Sequence, residues 1–190
     1  MRARYRTVAA FAVTLALAVP VAAQQTAPLR EPDVIFVPTP AAVVTGMLKL
    51  AKVSAKDVVY DLGCGDGMII TAAAKEFGAT AVGIDINPVR VKEANERVAA
   101  AGVKDKVTVV NDDLFTHDIS KATVVTLYLL PSLNEKLIPK LNKELKPGTR
   151  VVSQSFHMGT NGAERYPAEQ EIQVEGRPVY LWTVPIKEKK

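Results

Sequence analysis

The chain has very few residues of the kinds that cross-link small domains. It contains one cysteine and two histidines in 190 residues. Because Cys64 is alone, no disulfide bond can form within the chain, and no set of cysteines and histidines has the spacing of metal ligands. With 48% apolar and 23% charged residues, the composition instead suits one globular domain with a sizeable hydrophobic core.

An apolar run long enough to cross a bilayer is also missing. The run near the start of the chain, Val8 to Val19, has 12 residues, where about 20 are needed to span a membrane. Three arginines precede this run, and small residues follow it as far as Ala23. This order predicts a secretory signal peptide over residues 1–23. We therefore expect an exported or periplasmic protein, tethered to the membrane if the leader is retained.

The mature chain lacks an excess of positive charge. Cleavage of the predicted leader would remove three of the 24 basic residues and none of the 20 acidic ones, which leaves a net charge near +1. A nucleic-acid substrate would favour a basic surface interleaved with aromatic residues. The sequence therefore predicts no nucleic-acid partner, and the basic run at the end of the chain is interpreted as a solvated tail.

The rest of the chain alternates between strand and helix patterns, and each strand is a short apolar run. This alternation predicts an α/β domain with a mostly parallel sheet, covered by helices on both faces. The last two strands, separated by Glu175 to Pro178, predict an antiparallel hairpin. Residues 24–40 are interpreted as an extended lead-in, and residues 41–190 as the domain. Predicted strands are 58–62, 81–84, 107–110, 123–129, 150–156, 171–174 and 179–184, and predicted helices are 40–52, 68–77, 88–101 and 133–145.

The first helix has a recognisable start. Thr39 offers a capping hydroxyl, and Pro40 suits the first helical position because its missing N–H costs nothing there.

Three glycines alternate with other residues directly after the first strand, in Asp61-Leu62-Gly63-Cys64-Gly65-Asp66-Gly67. Glycine lets a ligand approach the backbone closely, and a loop between a strand and a helix is expected to point free N–H groups at that ligand. A dinucleotide fingerprint would place its third glycine where this chain has Met68, which disfavours NAD. The alternative is a plain tight turn without a ligand.

Acids follow the next two strands. Asp85 ends the second strand, and Asp112 and Asp113 follow the third. Ligands of open α/β sheets bind beyond the carboxyl ends of the strands. These acids are therefore candidate ligand contacts. The alternatives are a turn or helix cap formed by Asp85 with Asn87, and a solvated turn or N-cap at Asp113.

The glycine loop after the first strand, followed by acids after the second and third strands, resembles the pattern of the class I S-adenosylmethionine-dependent methyltransferases. The resemblance implies a Rossmann-like seven-stranded methyltransferase fold with S-adenosylmethionine as cofactor. Asp61 and Gly63 would lie near its methionine part, Asp85 on the ribose, and Asp113 with Leu114 around the adenine. Asp112 would contribute main-chain contacts, and Cys64 would be a small loop residue rather than a nucleophile. The cofactor-binding candidates are Pro38, Thr39, Asp61, Gly63, Cys64, Gly65, Gly67, Asp85, Asp112, Asp113 and Leu114.

Two further segments bear on the methyl acceptor. The Asn/Asp-Pro-Pro-Tyr motif of DNA and glutamine methyltransferases is missing from the corresponding segment, Tyr128-Leu129-Leu130-Pro131-Ser132. This disfavours DNA and glutamine as acceptors. The lead-in Phe36-Val37-Pro38-Thr39-Pro40 resembles that of the small protein-lysine methyltransferases related to the mitochondrial enzyme that modifies the ATP synthase c-ring protein. In those relatives the lead-in lies over the cofactor pocket, which makes Pro38 and Thr39 site candidates. Tyr128 is the candidate for the acceptor channel, its alternative being a core aromatic.

We therefore predict a methyltransferase that modifies a protein lysine. A small amine or hydroxyl compound is the alternative acceptor. Because S-adenosylmethionine is made in the cytoplasm, an exported protein that keeps the fold as a non-catalytic binding module is a further alternative. A nicotinamide oxidoreductase is the weakest one.

Overall fold

The computed structural model describes residues 29–189, which form seven strands and five helices. The predicted leader and residues 24–28 of the lead-in lie outside the described residues. Residues 29–40 contain neither helix nor strand. The strands are β1 Val58–Leu62, β2 Thr80–Asp85, β3 Val107–Asn111, β4 Val124–Leu127, β5 Arg150–Gln154, β6 Gln170–Val174 and β7 Arg177–Thr183. The helices are α1 Ala41–Leu50, α2 Met68–Phe77, α3 Pro88–Ala100, α4 Pro131–Glu144 and α5 Gly162–Arg165.

All seven strands form one sheet in the order β3-β2-β1-β4-β5-β7-β6. The first five are parallel to one another, whereas β7 runs antiparallel to both β5 and β6. The predicted methyltransferase-type sheet with its terminal hairpin is thereby confirmed. Strand order reverses between β1 and β4, which is where an open α/β sheet offers a crevice for a ligand.

Two hydrophobic clusters sandwich the sheet. Helices α1, α2 and α3 cover one face, with Met47 and Ile70 fully buried there. Helix α4 covers the other face, and Leu137 and Leu141 are fully buried in the same cluster as Trp182. The central strands are therefore apolar on both sides, as expected of parallel strands.

Several local expectations differ from the structure. Strands β4 and β5 each end two residues earlier than predicted, so that Tyr128 follows β4 instead of belonging to it. The Thr39 hydroxyl does not cap α1, because Pro40 occupies the N-cap position and no side chain bonds there. Thr39 is buried instead and lines a cavity. Helix α4 begins at Pro131 rather than at Leu133, since proline is accepted in a first turn. Helix α5 was not predicted, because its four residues are too few to show a helical period.

None of the helices within residues 29–189 is both long enough and apolar enough to span a membrane.

Candidate active site

A cavity of about 910 Å³, including its open mouth, lies at the carboxyl ends of β1, β2, β3 and β4. Residues of the lead-in form its outer wall. Nine of the twelve site candidates line this cavity: Thr39, Asp61, Gly63, Cys64, Gly65, Asp85, Asp113, Leu114 and Tyr128. Pro38, Gly67 and Asp112 are not part of the lining. The roles assigned to all twelve stay predictions.

The backbone N–H groups of Gly63, Cys64 and Gly65 in the glycine loop are bonded within the protein. Gly63 and Cys64 both donate to the Ile84 carbonyl, at 2.8 and 3.0 Å. Gly65 donates to Asp85 Oδ2 at 2.8 Å. The expectation that this loop presents free N–H groups to a ligand is therefore wrong for these three residues. Their bonds hold the ends of β1 and β2 together and shape the floor of the cavity.

Gly65 is a glycine because the lead-in lies directly on it. The Phe36 ring occupies the space that a Cβ at Gly65 would need, and Gly65 has a positive φ of 53°. The Phe36 ring also faces Arg90, whose guanidinium carbon lies 4.7 Å from the ring centroid. The lead-in is thus packed between the glycine loop and α3. The sequence singled out Phe36 only through its place in the lead-in.

Gly67 lies outside the cavity lining and packs closely against α3. A Cβ at this position would lie 2.9 Å from Ala94 Cβ and 3.0 Å from Ala94 Cα, and φ is +78°. We expect Gly67→Ala to lower the free energy of unfolding by about 2 to 5 kcal/mol, from left-handed strain plus overpacking. Gly102 is the matched control, since φ is +71° and nothing lies within 4 Å. Gly102→Ala should cost about 1 to 2 kcal/mol. Urea denaturation of both variants checks this, and equal losses would contradict it.

The Asp85 carboxylate joins the cavity to the start of α3. Besides the bond from Gly65, Oδ1 accepts from the Asn87 N–H at 2.9 Å. Asn87 in turn caps α3 by accepting from the Val89 N–H at 2.9 Å. The ligand role and the turn role are therefore compatible. A carboxylate has about four acceptor sites, so Asp85 can accept further bonds from a diol in the cavity.

Asp61 is a buried carboxyl at the cavity floor. It is 3% exposed and accepts a 2.7 Å hydrogen bond from the Thr126 hydroxyl. Burial, aided by repulsion from Asp85 and Asp66, raises the pKa of Asp61 to about 7 despite that bond. The carboxyl is therefore poised to change its charge near neutral pH.

The Cys64 thiol also lies in this environment. Burial first, and then the Asp61 and Asp85 carboxylates, raise the pKa of Cys64 well above its usual value. The thiol is thus neutral at physiological pH, and thiolate is the form that acts as a nucleophile.

Asp113 ties the lead-in to the edge of the sheet. Arg30 forms a two-point contact with its carboxylate, from Nε at 2.6 Å and from Nη2 at 3.1 Å. The Phe115 N–H donates to the same carboxylate at 2.9 Å. The hydrogen bonds from Arg30 hold the pKa of Asp113 below its usual range. Arg30 was missed by the sequence reasoning, because one arginine in an irregular segment gives no pattern that predicts its partner.

Asp112 faces the other way. Its carboxylate accepts from the Asp113 N–H at 2.7 Å and lies 2.8 Å from His117 Nδ1. This side chain stabilises the turn after β3 outside the cavity.

The family profile of the ANTKMT methyltransferase domain matches residues 61–165, which include the glycine loop, the acids and the aromatic residues Tyr128 and Phe156 that follow β4 and β5. The chain belongs to this family. A protein-lysine N-methyltransferase of Saccharolobus islandicus (strain REY15A) is 50% identical over 155 residues, covering 80% of this chain and 95% of that protein. The adenine nucleotide translocase lysine N-methyltransferase of Mus musculus is 33% identical over 137 residues, covering 68% of this chain. The chain spans only 59% of that relative's length.

A solved structure also supports the assignment of the chain to the methyltransferases. The crystal structure described as an RNA methyltransferase from Salinibacter ruber, in complex with S-adenosylhomocysteine, is 52% identical and has a TM-score of 0.74. The match covers 78% of this chain and 94% of that chain. The ANTKMT-family chain is therefore an S-adenosylmethionine-dependent methyltransferase, as the sequence predicted.

The residues of the cavity fit this donor by charge. S-adenosylmethionine carries a sulfonium and an ammonium, and its ribose offers two hydroxyl donors. Five carboxyl groups line the cavity against two guanidinium groups. Of the two, Arg30 is paired with Asp113, and Arg90 lies 2.7 Å from Glu93. The cavity thus has an excess of negative charge. Asp61 would face the methionine part and Asp85 the ribose.

Proposed function

We propose that this methyltransferase transfers the methyl group of S-adenosylmethionine to the ε-amine of a lysine in a protein. The observation that carries the proposal is its 50% identity, over 95% of the relative's length, to a protein named as a protein-lysine N-methyltransferase. The more distant relative of Mus musculus is also named as a lysine N-methyltransferase, with adenine nucleotide translocase as its substrate.

The proposed reaction needs positioning more than acid–base groups. The lone pair of a neutral amine forms the N–CH₃ bond while the S–CH₃ bond breaks, and the electrons of that bond remain on sulfur in S-adenosylhomocysteine. A lysine amine has a pKa of about 10.4 in water, so it must lose a proton first. Tyr128 and Leu129 line the cavity where β4 ends, and this side of the cavity is where we place the incoming amine.

RNA is a second candidate acceptor, because the similar protein of Salinibacter ruber is described as an RNA methyltransferase. Charge argues against it here. The chain after the predicted leader has a net charge near +1 and no basic run interleaved with aromatic residues, which nucleic-acid binding would favour. A small amine is a third candidate acceptor, and the labelling experiment separates it from a protein.

The acceptor class is tested by labelling. The purified protein is incubated with tritiated S-adenosylmethionine and a cell lysate, and the products are divided between protease and ribonuclease treatment. We expect protease-sensitive label that appears as methyllysine after acid hydrolysis. Ribonuclease-sensitive label would move the assignment to RNA. Label in small molecules only would contradict a protein acceptor, and absence of any label despite binding of S-adenosylhomocysteine would favour a binding module.

We also propose, from the leader alone, that the protein is exported. Mass spectrometry of the N-terminus in fractionated cells tests this. A mature chain that begins at Gln24 in the periplasmic fraction supports export, and an intact leader in the cytoplasmic fraction contradicts it.

A further inference from the structure

Strand β5 ends in a strained turn. Ser155 has a φ of +63°, which is rare for a residue with a side chain. The Phe156 N–H donates to the Gln154 carbonyl at 2.8 Å and closes a three-residue ring. A γ-turn with positive φ is an uncommon, strained conformation. Such strain persists only where neighbouring groups impose it, and it is concentrated at functional sites.

Two buried polar side chains impose this turn. The Ser153 hydroxyl donates to the Phe156 carbonyl at 2.7 Å. Asn134 of α4 donates to the His157 carbonyl at 3.1 Å and to the Ser153 hydroxyl at 3.3 Å. Asn134 and Ser153 are both fully buried. The turn is therefore clamped from α4 rather than left to the solvent.

The clamped turn places Phe156 against Tyr128. Their rings are stacked, with centroids 6.1 Å apart and planes 19° apart. Tyr128 lines the cofactor cavity. Phe156 lines a second cavity of about 650 Å³, including its open mouth. The aromatic pair is thus the boundary between the two cavities.

The second cavity has the polarity of a site for a cationic chain. Glu164 is an exposed carboxylate in its lining, and no lysine or arginine belongs to the part of the lining that the structure describes. Serine, threonine and asparagine side chains supply further polar groups. Its lining residues are Pro131, Ser155, Phe156, His157, Gly159, Thr160, Asn161, Ala163 and Glu164.

We propose that this second cavity binds the segment of the acceptor protein that carries the lysine, and that the lysine stem passes along the Tyr128–Phe156 pair into the cofactor cavity. The inference rests on the proposed lysine acceptor. The aliphatic stem of lysine packs on apolar and aromatic surface while its amine stays polar. Asn134 is a positioning residue, because it acts on the acceptor only through the turn that holds Phe156.

The test uses a ligand that occupies both cavities. This bisubstrate analogue has nitrogen in place of the sulfur of S-adenosylhomocysteine, and that nitrogen carries the side chain of the lysine in a capped Gly-Lys-Gly peptide. Calorimetry compares it with S-adenosylhomocysteine on the full chain. We expect Phe156→Ala to weaken the analogue at least tenfold and S-adenosylhomocysteine less than twofold. Phe156→Tyr keeps the ring and should bind both ligands as the unmodified protein does.

A second substitution tests another part of the lining of the second cavity. Glu164→Gln should weaken the analogue about threefold at low salt and leave S-adenosylhomocysteine unchanged. Unchanged binding of S-adenosylhomocysteine also shows that each variant is folded. If Phe156→Ala is unstable, Phe156→Leu keeps the apolar bulk without the ring and is expected to show the same selective loss.

Three results would overturn the inference. They are equal losses for both ligands in Phe156→Ala, an analogue that all variants bind alike, and an analogue that the unmodified protein binds no better than S-adenosylhomocysteine. The labelling experiment tests the proposed function separately: label without methyllysine would contradict a lysine acceptor. Tight binding of the analogue that depends on Phe156, without any labelled protein in the lysate, would support a binding role of the second cavity. It would contradict protein lysine as the acceptor.

Discussion

Asp85→Ala is expected to raise the dissociation constant of S-adenosylhomocysteine by about 100-fold or more. The Asp85 carboxylate accepts from the Gly65 and Asn87 N–H groups, at 2.8 and 2.9 Å. Its loss therefore releases the glycine loop and removes the predicted ribose contact at once. Hydrogen bonds to a charged group contribute about 1.5 to 3 kcal/mol each, and about 1.4 kcal/mol is a factor of ten in affinity. Isothermal titration calorimetry measures the change directly.

The comparison variant is Asp112→Asn. The Asp112 carboxylate lies outside the cavity lining, and asparagine keeps an oxygen that can accept from the Asp113 N–H. Affinity should stay within threefold, which fits the main-chain role predicted for Asp112. Circular dichroism confirms that both variants are folded. If folded Asp85→Ala binds within threefold of the unmodified protein, Asp85 has no part in holding the donor.

The fold could be predicted from the sequence because its central strands are short runs rich in apolar residues that alternate with helix patterns. Val124 to Leu127, for example, is entirely buried, and such a short run suits a central strand. Glycines mark the helix ends equally well, as Gly78 does with a φ of 72° after α2. These signals are local, so a single sequence carries them.

The contacts across the cavity could not be predicted, because they join residues that are distant in the chain. Arg30 and Asp113 are 83 residues apart and meet only through the folded sheet. The γ-turn at Ser155 could not be predicted either, since serine rarely adopts a positive φ. The internal bonding of the glycine loop depends on the neighbouring strand, and the motif alone does not indicate that the Ile84 carbonyl receives two of its N–H groups.

The cavity combines tight burial with an excess of carboxyl groups. Asp61 and Asp85 line it together with Asp66. Burial first, and then repulsion from Asp85 and Asp66, raise the pKa of Asp61. A positively charged ligand offsets that repulsion, because it offers each carboxylate an opposite charge. Ionising Asp61 without a cation in the cavity therefore costs free energy, and this cost is the electrostatic strain of the cavity. The stability of the protein without ligand should record this strain.

Asp61→Asn is expected to flatten the pH dependence of stability. The pKa of Asp61 is about 7 in the folded protein, against an ordinary value of 3.8. Between these values the folded state keeps a proton that the unfolded state has released, so stability falls as the pH rises. About 1.4 kcal/mol per pH unit over about three units gives a loss on the order of 4 kcal/mol between about pH 4 and 7. Urea denaturation of both proteins without ligand, at each pH, measures the difference.

Asp57→Asn should change the same curve in the opposite direction. Burial raises the pKa of Asp57, but hydrogen bonds from Thr123, Ser54 and Arg150 outweigh it and leave the pKa below its ordinary value. A carboxyl with a lowered pKa adds stability above its unfolded pKa, and that stability is lost as the pH falls. Asp57→Asn should therefore cost stability at about pH 7 and little at about pH 3.

The prediction for Asp61 would be contradicted if the stability curves of Asp61→Asn and the unmodified protein ran parallel between about pH 4 and 7. Parallel curves would show that Asp61 is ionised in the folded chain. The electrostatic strain assigned to the cavity would then be wrong.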